Sequence, residues 1–315
     1  MKGYVALTDF EWFSFLRDHS ESGETNFWQP RGGALLDPPE GMPFFFKLDA
    51  EHGSWIAGFA FFAWRSMLPA WLAWDTYESA NGAGNRDDFL RMLARRRGES
   101  IDPTGSFQIG CLLLTDATFF SEQDWIRPPS DWARTGIQRG KYYDDLSQGE
   151  GRRVFEECLA RRTSATLPAV APDLPIEQAG ERYTQYLARA RKGQRAFQIK
   201  VLDAYGRSCA VTTEHSLPVL DAAHIQPYAE GGDHSVGNGI LLRADIHRLF
   251  DKGLVTITQD YKFRVSKSLE SVYKNGRAYY ELEEASLRDG IHLPRDARHY
   301  PNRDLLAWHG KKFVA

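Results

Sequence analysis

The pattern of apolar and polar positions changes character several times along the chain. Asp9 to His19 reads as a helix. Two short strands follow: Pro43 to Leu48, with Phe44-Phe45-Phe46-Lys47 at its centre, and Trp55 to Ala63. Pro69 to Ser79 reads as a second helix, Asn81-Gly82-Ala83-Gly84-Asn85 as a turn, and Arg86 to Arg97 as a third helix. Gln108 to Thr115 returns to strand, and another strand is expected near Gly136 to Tyr143. Trp71 and Trp74 stand at helical spacing, as core side chains do. Elements mixed in this order predict a small α+β or β-barrel module.

The pattern breaks over residues 163–178, where Pro168, Pro172 and Pro175 stand among small residues. This reads as an extended linker. We place a first domain at residues 1–162, the linker at 163–179 and a second domain at 180–315. In the second domain, Gly180 to Ala190 and Gln194 to Tyr205 read as helices, the latter ended by Gly206. A strand–loop–strand–helix unit is expected from Cys209 to about Leu249. Short strands follow at Val255-Thr-Ile-Thr and Phe263-Arg-Val-Ser.

Composition narrows the class. The 315 residues, 42% hydrophobic and 26% charged, have an ordinary globular balance and suffice for two cores. Nine Trp are many, and either core packing or base-stacking surfaces would account for them. The most apolar run, Ile56 to Trp74, is broken by Arg65, Ser66 and Pro69, so no membrane span is expected. Asp9, Glu11 and Arg17 interrupt any secretory pattern at the start. Cys111, Cys158 and Cys209 stand apart with no CxxC pair; the expectation is a reducing compartment, the cytoplasm, and no structural zinc. The net charge of −3 hides an asymmetry: residues 181–315 carry 21 Lys+Arg against 16 Asp+Glu, and the residues before them 18 against 26. The basic half fits a phosphate-contacting surface, whereas the acidic half fits DNA less well.

The segment with chemical content is Leu220-Asp221-Ala222-Ala223-His224-Ile225-Gln226-Pro227, then Gly231-Gly232, then Asn238-Gly239-Ile240-Leu241-Leu242-Arg243-Ala244-Asp245-Ile246-His247-Arg248-Leu249-Phe250-Asp251. A lone histidine before Ile-Gln-Pro is more often a packed or capping residue. Here Asn238 and His247 stand at matching places. In order, spacing and apolar filler the segment resembles the HNH (ββα-metal) endonuclease motif, over roughly Phe197 to Val255. Phosphodiester hydrolysis needs an activated water, an in-line path and a cation on the leaving oxygen. A neutral imidazole can take the water's proton near pH 7.

The resemblance implies that His224 is the general base, that Asn238 ties the loop so that His224 points at the phosphate, and that His247 binds one divalent metal ion, Mg²⁺ or else Mn²⁺, Co²⁺ or Ni²⁺. Many HNH domains carry Asp or His directly before the base, where this chain has Ala223. Asp221 is the candidate second ligand, although strand alternation does not put it where a neighbour of His224 would be. A bulge or water-filled coordination would resolve this. Arg243 and Arg248 flank the helix as phosphate contacts or, equally, as solvated arginines. Asp251 reads as a turn or capping residue rather than a ligand, and His215 and His234 as loop residues.

In the first domain, Asn26-Phe27-Trp28, Phe44 to Leu48, Ile109-Gly110-Cys111, Trp125-Ile126 and Gln138 to Asp144 resemble a PUA-like (EVE-type) module. The whole chain is thus similar to PUA–HNH modification-dependent, type IV-like restriction endonucleases. The fold class this implies is α+β: a PUA-like β-barrel module with helices, then a ββα-metal nuclease domain. It also implies a modified base rotated out of the duplex, with Trp28 as a pocket wall, Asn26 as an edge reader and Tyr142 as a further contact. His52 could enter a groove or simply occupy a loop, and Arg95-Arg96-Arg97 reads as a solvated helix face rather than a DNA contact. The expected partner is double-stranded DNA with 5-methyl- or 5-hydroxymethylcytosine, cut by a homodimer. Two alternatives stay open: an HNH nuclease for phosphorothioated DNA or RNA, and a DNA-binding module with a degenerate HNH fold, for which Ala223 is the best support.

Overall fold

The computed structural model describes residues 1–20, 23–31, 37–132, 140–166 and 193–315. The chain divides into two units, Met1–Ala190 and Arg191–Ala315. The first unit is mixed α+β. Its strands are β1 (Gly3–Thr8), β2 (Thr25–Gln29), β3 (Pro43–Leu48), β4 (Ile56–Pro69), β5 (Gln108–Phe119) and β6 (Gly140–Tyr143). They form one sheet in the order β2-β5-β4-β3-β1-β6. Only the β1–β3 pair among these is parallel. No pairing among the described residues joins the edge strands β2 and β6. Helices α1 (Phe10–His19), α2 (Ala70–Tyr77), α3 (Arg86–Arg97) and α4 (Gly149–Thr166) complete the unit.

Strand β3 shows why the sheet needs cover on both faces. Its sequence Pro-Phe-Phe-Phe-Lys-Leu has no polar alternation, and all six residues are buried. On one face Phe46 meets the edge of Trp12 from α1 at 5.4 Å. On the other, Phe45 packs with Val154 and Cys158 of α4 and edge-on to Phe155 at 6.1 Å. Lys47 is accommodated with its Nζ 4.8 Å from the Trp132 ring centre and bonded to Leu48 O, and burial lowers its pKa. Strand β4 outruns the expected Ala63 and reaches Pro69, with register shifts against β5 at Phe59/Phe61 and Phe62/Trp64. Such irregularities bend a strand and increase its local twist.

Local signals fix the helix ends. Asp9 caps α1 by accepting from Trp12 N, and Asn85 caps α3 by accepting from Asp88 N. Gly98, at φ 66°, closes α3. The arginine run at its end is occupied within the unit: Arg95 pairs with Glu11, Arg96 with Asp9 and Arg97 with Glu99. His52 is likewise held, 2.7 Å from Asp49 and stacked on Phe10. Strands β1 and β2 and helix α4 are absent from the sequence expectations. The expected helix Gly180–Ala190 and the start of the strand near Gly136 lie outside the described residues.

The second unit contains α5 (Gln194–Ala204), β7 (Leu220–His224), β8 (Gly239–Arg243), α6 (Ala244–Asp251), β9 (Val255–Ile257), β10 (Phe263–Val265), α7 (Ser268–Ser271), α8 (Arg277–Asp289) and α9 (Arg303–Gly310). Strands β7 and β8 pair antiparallel, as do β9 and β10. Helix α6 follows β8 without a loop and buries Ile246 and Phe250. His309 of α9 stacks on Phe250 at 3.6 Å and bonds to Thr256 and Phe250 O, tying the tail to α6. No described helix in either unit is long and apolar enough to cross a membrane.

Candidate active site

Strand β7 delivers His224 at its last residue, opposite Gly239 in the register. That pairing matters because α5 lies against it. A Cβ at Gly239 would meet Val201 Cγ2 at 2.3 Å and Phe197 Cε2 at 2.9 Å, so glycine lets the helix approach. Phe197 then stacks flat against the His224 imidazole, with centroids 3.7 Å apart and planes 12° apart. His224 Nε2 lies 3.2 Å from His234 Nδ1. Its Nδ1 has no hydrogen-bond partner among the described residues. Burial, followed by the neighbouring His234 and His247, lowers the pKa of His224 to about 4. The ring is therefore neutral at pH 7 and can accept a proton.

The loop after His224 is locked from inside by Asn238, which is fully buried. Its Oδ1 accepts from Gln226 N at 2.9 Å, and its Nδ2 donates to Gln226 O at 2.9 Å and Asp233 O at 2.8 Å. Its backbone O also accepts from Ile225 N at 2.9 Å. The whole amide is thus spent on holding residues 226 and 233 together. Gly232 is the residue this clamp cannot spare. A Cβ there would sit 1.9 Å from Gln226 O and 2.8 Å from Asn238 Nδ2. Gly232→Ala should push the loop open at a cost of about 1–3 kcal/mol, the usual range for overpacking. Denaturant unfolding and amide exchange at Gln226 check this, and unchanged exchange would count against the clamp.

Helix α6 carries His247, whose two ring nitrogens each face a carboxylate. Nδ1 is 3.2 Å from Asp221 Oδ2, and Nε2 is 3.5 Å from Asp251 Oδ2. The β7–β8 register runs without a shift. Asp221 thus reaches His247 with no bulge, by facing the helix rather than by sitting beside His224. A carboxylate and an imidazole nitrogen at this separation can share one divalent cation that keeps most of its water. Asp221 and Asp251 address opposite nitrogens of one ring, so they cannot both join His247 on the same ion. With a cation on one nitrogen, the other carboxylate would hold the ring's remaining N–H, as a metal-binding imidazole requires. No group of three or more His, Cys, Asp or Glu that could hold a metal occurs among the described residues, so a cation held by Asp221 and His247 would complete its shell with ligands of other kinds. Sequence reasoning passed over Asp251 as a turn residue. The i,i+4 spacing from His247 on one helix was the signal for it.

The remaining site candidates are dispersed. Arg243 forms a two-point pair with Asp245 at 2.7 and 2.8 Å, and Tyr279 also donates to Asp245. Arg248 is exposed. In the first unit, Asn26 is fully buried on β2, its Nδ2 bonded to Asn81 Oδ1 at 2.9 Å and in contact with Cys111 Sγ at 3.4 Å. Trp28 is 9% exposed, donates to Asn81 O at 2.9 Å and meets Phe89 edge-on. Tyr142 lies on β6, at the other end of the strand order, 42% exposed and packed against Tyr4. The structure brings Asn26 and Trp28 together around Asn81 and does not bring Tyr142 to them.

Residues 209–258 match the family model described as HNH endonuclease. Among solved structures, the ASCH protein from Zymomonas mobilis is 12% identical at a TM-score of 0.34, over 49% of this chain and 94% of that one. A point mutant of the same protein gives 10% and 0.35, over 50% and 97%. A TagI restriction endonuclease described as modification dependent is 14% identical at a TM-score of 0.26, over 94% of this chain and 78% of that one. No curated protein matches the chain significantly.

Proposed function

We propose that this chain, whose second unit carries an HNH endonuclease domain, is a DNA endonuclease that acts on duplexes with modified cytosine. The observation that carries the nuclease reading is the pairing of two different groups at one hairpin. One is a neutral, ring-stacked His224 with Nδ1 unoccupied, and the other is the couple that Asp221, on the same strand, makes with His247 on the adjoining helix. His224 takes a proton from water as its oxygen bonds to phosphorus. The bond to the 3′ oxygen breaks, and that oxygen leaves with the electron pair and is protonated by solvent. Asp221 and His247 would hold one divalent cation, with Asp251 fixing the His247 ring. Such a cation supplies positive charge to the phosphate and the departing oxygen. Arg248, exposed beside His247, would contact a flanking phosphate, whereas Arg243 would first have to release Asp245.

The target reading rests on the resemblance of the first unit to PUA-like modules. Base reading by Asn26 would use its Oδ1, the one polar atom of that side chain with no hydrogen-bond partner. Both Asn26 and Trp28 are closed off from solvent, so the wall around them must open for a base to enter. Tyr142 is exposed already. Digestion of four otherwise identical DNAs carrying cytosine, 5-methylcytosine, 5-hydroxymethylcytosine or glucosylated cytosine, beside an RNA and a phosphorothioated DNA of the same sequence, with Mg²⁺ or Mn²⁺, tests this. Cutting of the 5-methyl or 5-hydroxymethyl DNA alone is expected. Equal cutting of all four removes the specificity and leaves the nuclease; cutting only of RNA or phosphorothioated DNA replaces the target.

Two further results are expected at this site. Asp221→Asn should weaken Mn²⁺ binding, measured by calorimetry, more than Asp251→Asn does; the reverse order would exchange their roles. The acid limb of the cleavage rate at saturating metal should fall near pH 4 rather than near the ordinary imidazole value of about 6.5. The sign follows from burial: His224 stays deprotonated, and competent as a base, until the pH drops towards about 4. A midpoint at the ordinary value would assign the proton transfer to another group.

A further inference from the structure

His234 lies in the glycine-rich loop and has so far entered only as a neighbour. Its ring is fixed on three sides. Tyr228 stacks on it with centroids 5.0 Å apart and planes 2° apart. Phe197, the ring beneath His224, also borders it at 6.0 Å. The backbone one residue before it is held by Asn238 Nδ2 on Asp233 O, at 2.8 Å. The edge presented to His224 is Nδ1, 3.2 Å from His224 Nε2.

Two proton arrangements satisfy that contact. If His234 Nδ1 carries the proton, it donates into the His224 Nε2 lone pair; a neutral His224 then bears its own proton on Nδ1 and has no lone pair left for water. If His234 Nδ1 is the acceptor, His224 Nε2–H donates to it and His224 Nδ1 is a free base. Only the second arrangement lets His224 act. When Nδ1 takes up the water's proton, the resulting imidazolium keeps its Nε2–H bond to His234, which steadies the new charge.

We propose that His234 is a positioning residue: its Nδ1 accepts from His224 Nε2–H, fixing the ring and the tautomer that leaves His224 Nδ1 free for the attacking water. This rests on His224 being the base of the proposed nuclease. It also gives the Asn238 clamp a second purpose, since the clamp sets the loop from which His234 reaches back.

The test separates the ring from its nitrogen. His234→Phe keeps a ring against Tyr228 and removes the acceptor; His234→Asn removes the ring and keeps an acceptor near the Nδ1 position. Cleavage of modified DNA by the full chain should fall in kcat by about 10²-fold or more for His234→Phe, with KM and Mn²⁺ affinity unchanged, as for a base held in the wrong tautomer. His234→Asn should recover to within about 10-fold of the parent. Nitrogen-15 NMR of the histidine rings should find the His224 proton on Nε2 in the parent and spread over both nitrogens in His234→Phe. Parent-like cutting by His234→Phe, or an Asn variant as slow as the Phe variant, overturns the proposal. So does weakened Mn²⁺ binding, which would make His234 a ligand, or a parent His224 protonated on Nδ1. If the parent cuts no DNA, the nuclease reading fails, and the NMR result still decides the hydrogen bond.

Discussion

His224→Ala is expected to lower the cleavage rate by about 10²–10⁴-fold, the usual contribution of a positioned general base, while DNA binding stays at the parent level. The size follows from the site's economy. Among the described residues the other two imidazoles at this hairpin are engaged: His247 faces a carboxylate at each ring nitrogen and His234 turns its Nδ1 to His224. Removing the ring leaves the Phe197 face and the Asn238 clamp in place, so the fold has little to lose. Binding should survive because the groups proposed to meet phosphate, Arg248 above all, lie on α6 rather than on β7. Single-turnover cleavage beside a mobility-shift assay measures both quantities. Residual cleavage close to the parent rate would remove His224 from the mechanism.

Asn238→Ala should damage stability and rate together. It strips the partner from Gln226 N, Gln226 O and Asp233 O inside a fully buried position. Leaving such groups unpaired costs roughly 1–3 kcal/mol each, less whatever entering water restores, so a loss on the order of 3 kcal/mol is expected. Asn238→Asp should be no milder. It keeps an acceptor for Gln226 N and turns a carboxylate oxygen towards two carbonyl oxygens. The cleavage rate should fall by about 10²-fold in either variant, because the general base loses its fixed geometry. Denaturant unfolding combined with amide exchange over residues 225–238 separates the two effects. Parent-like exchange alongside slow cleavage would mean that Asn238 touches the chemistry directly.

How far the sequence spoke for the structure depended on how local each feature is. Strand β3 and helix α3 appear with the expected limits, because an unbroken Phe run and an Asn cap answered by Gly98 are contained within their own segments. Strand β1 was missed: its partners are β3, some forty residues away, and β6 beyond residue 139, and nothing in Gly-Tyr-Val-Ala-Leu-Thr announces either. Helix α4 carried a readable signal in Val154, Phe155, Cys158 and Leu159 at helical spacing, which the nearby prolines obscured. At the candidate site, the grouping of His224, Asn238 and His247 was legible because their order is the motif. Asp221 was read as the candidate partner of His247; how it reaches that ring was left open, since this depends on how α6 turns back over the hairpin. Trp28 and Asn26 were expected as pocket residues from the family resemblance, and only the tertiary contacts show both bonded to Asn81, more than fifty residues away.

The ring beneath His224 comes from Phe197, upstream of the stretch 209–258 that carries the motif. Val201 fills the notch left by Gly239, the Asn302 backbone N–H donates to Gly237 O at 2.8 Å, and Lys312 pairs with Glu230 at 2.6 Å. A graft of the hairpin and its helix alone onto another scaffold would carry the reactive side chains and leave their supports behind. The smallest transplantable cutter therefore starts no later than Gly193 and ends no earlier than Lys312, so trimming to the recognisable motif is the wrong economy for anyone building a chimera from this chain.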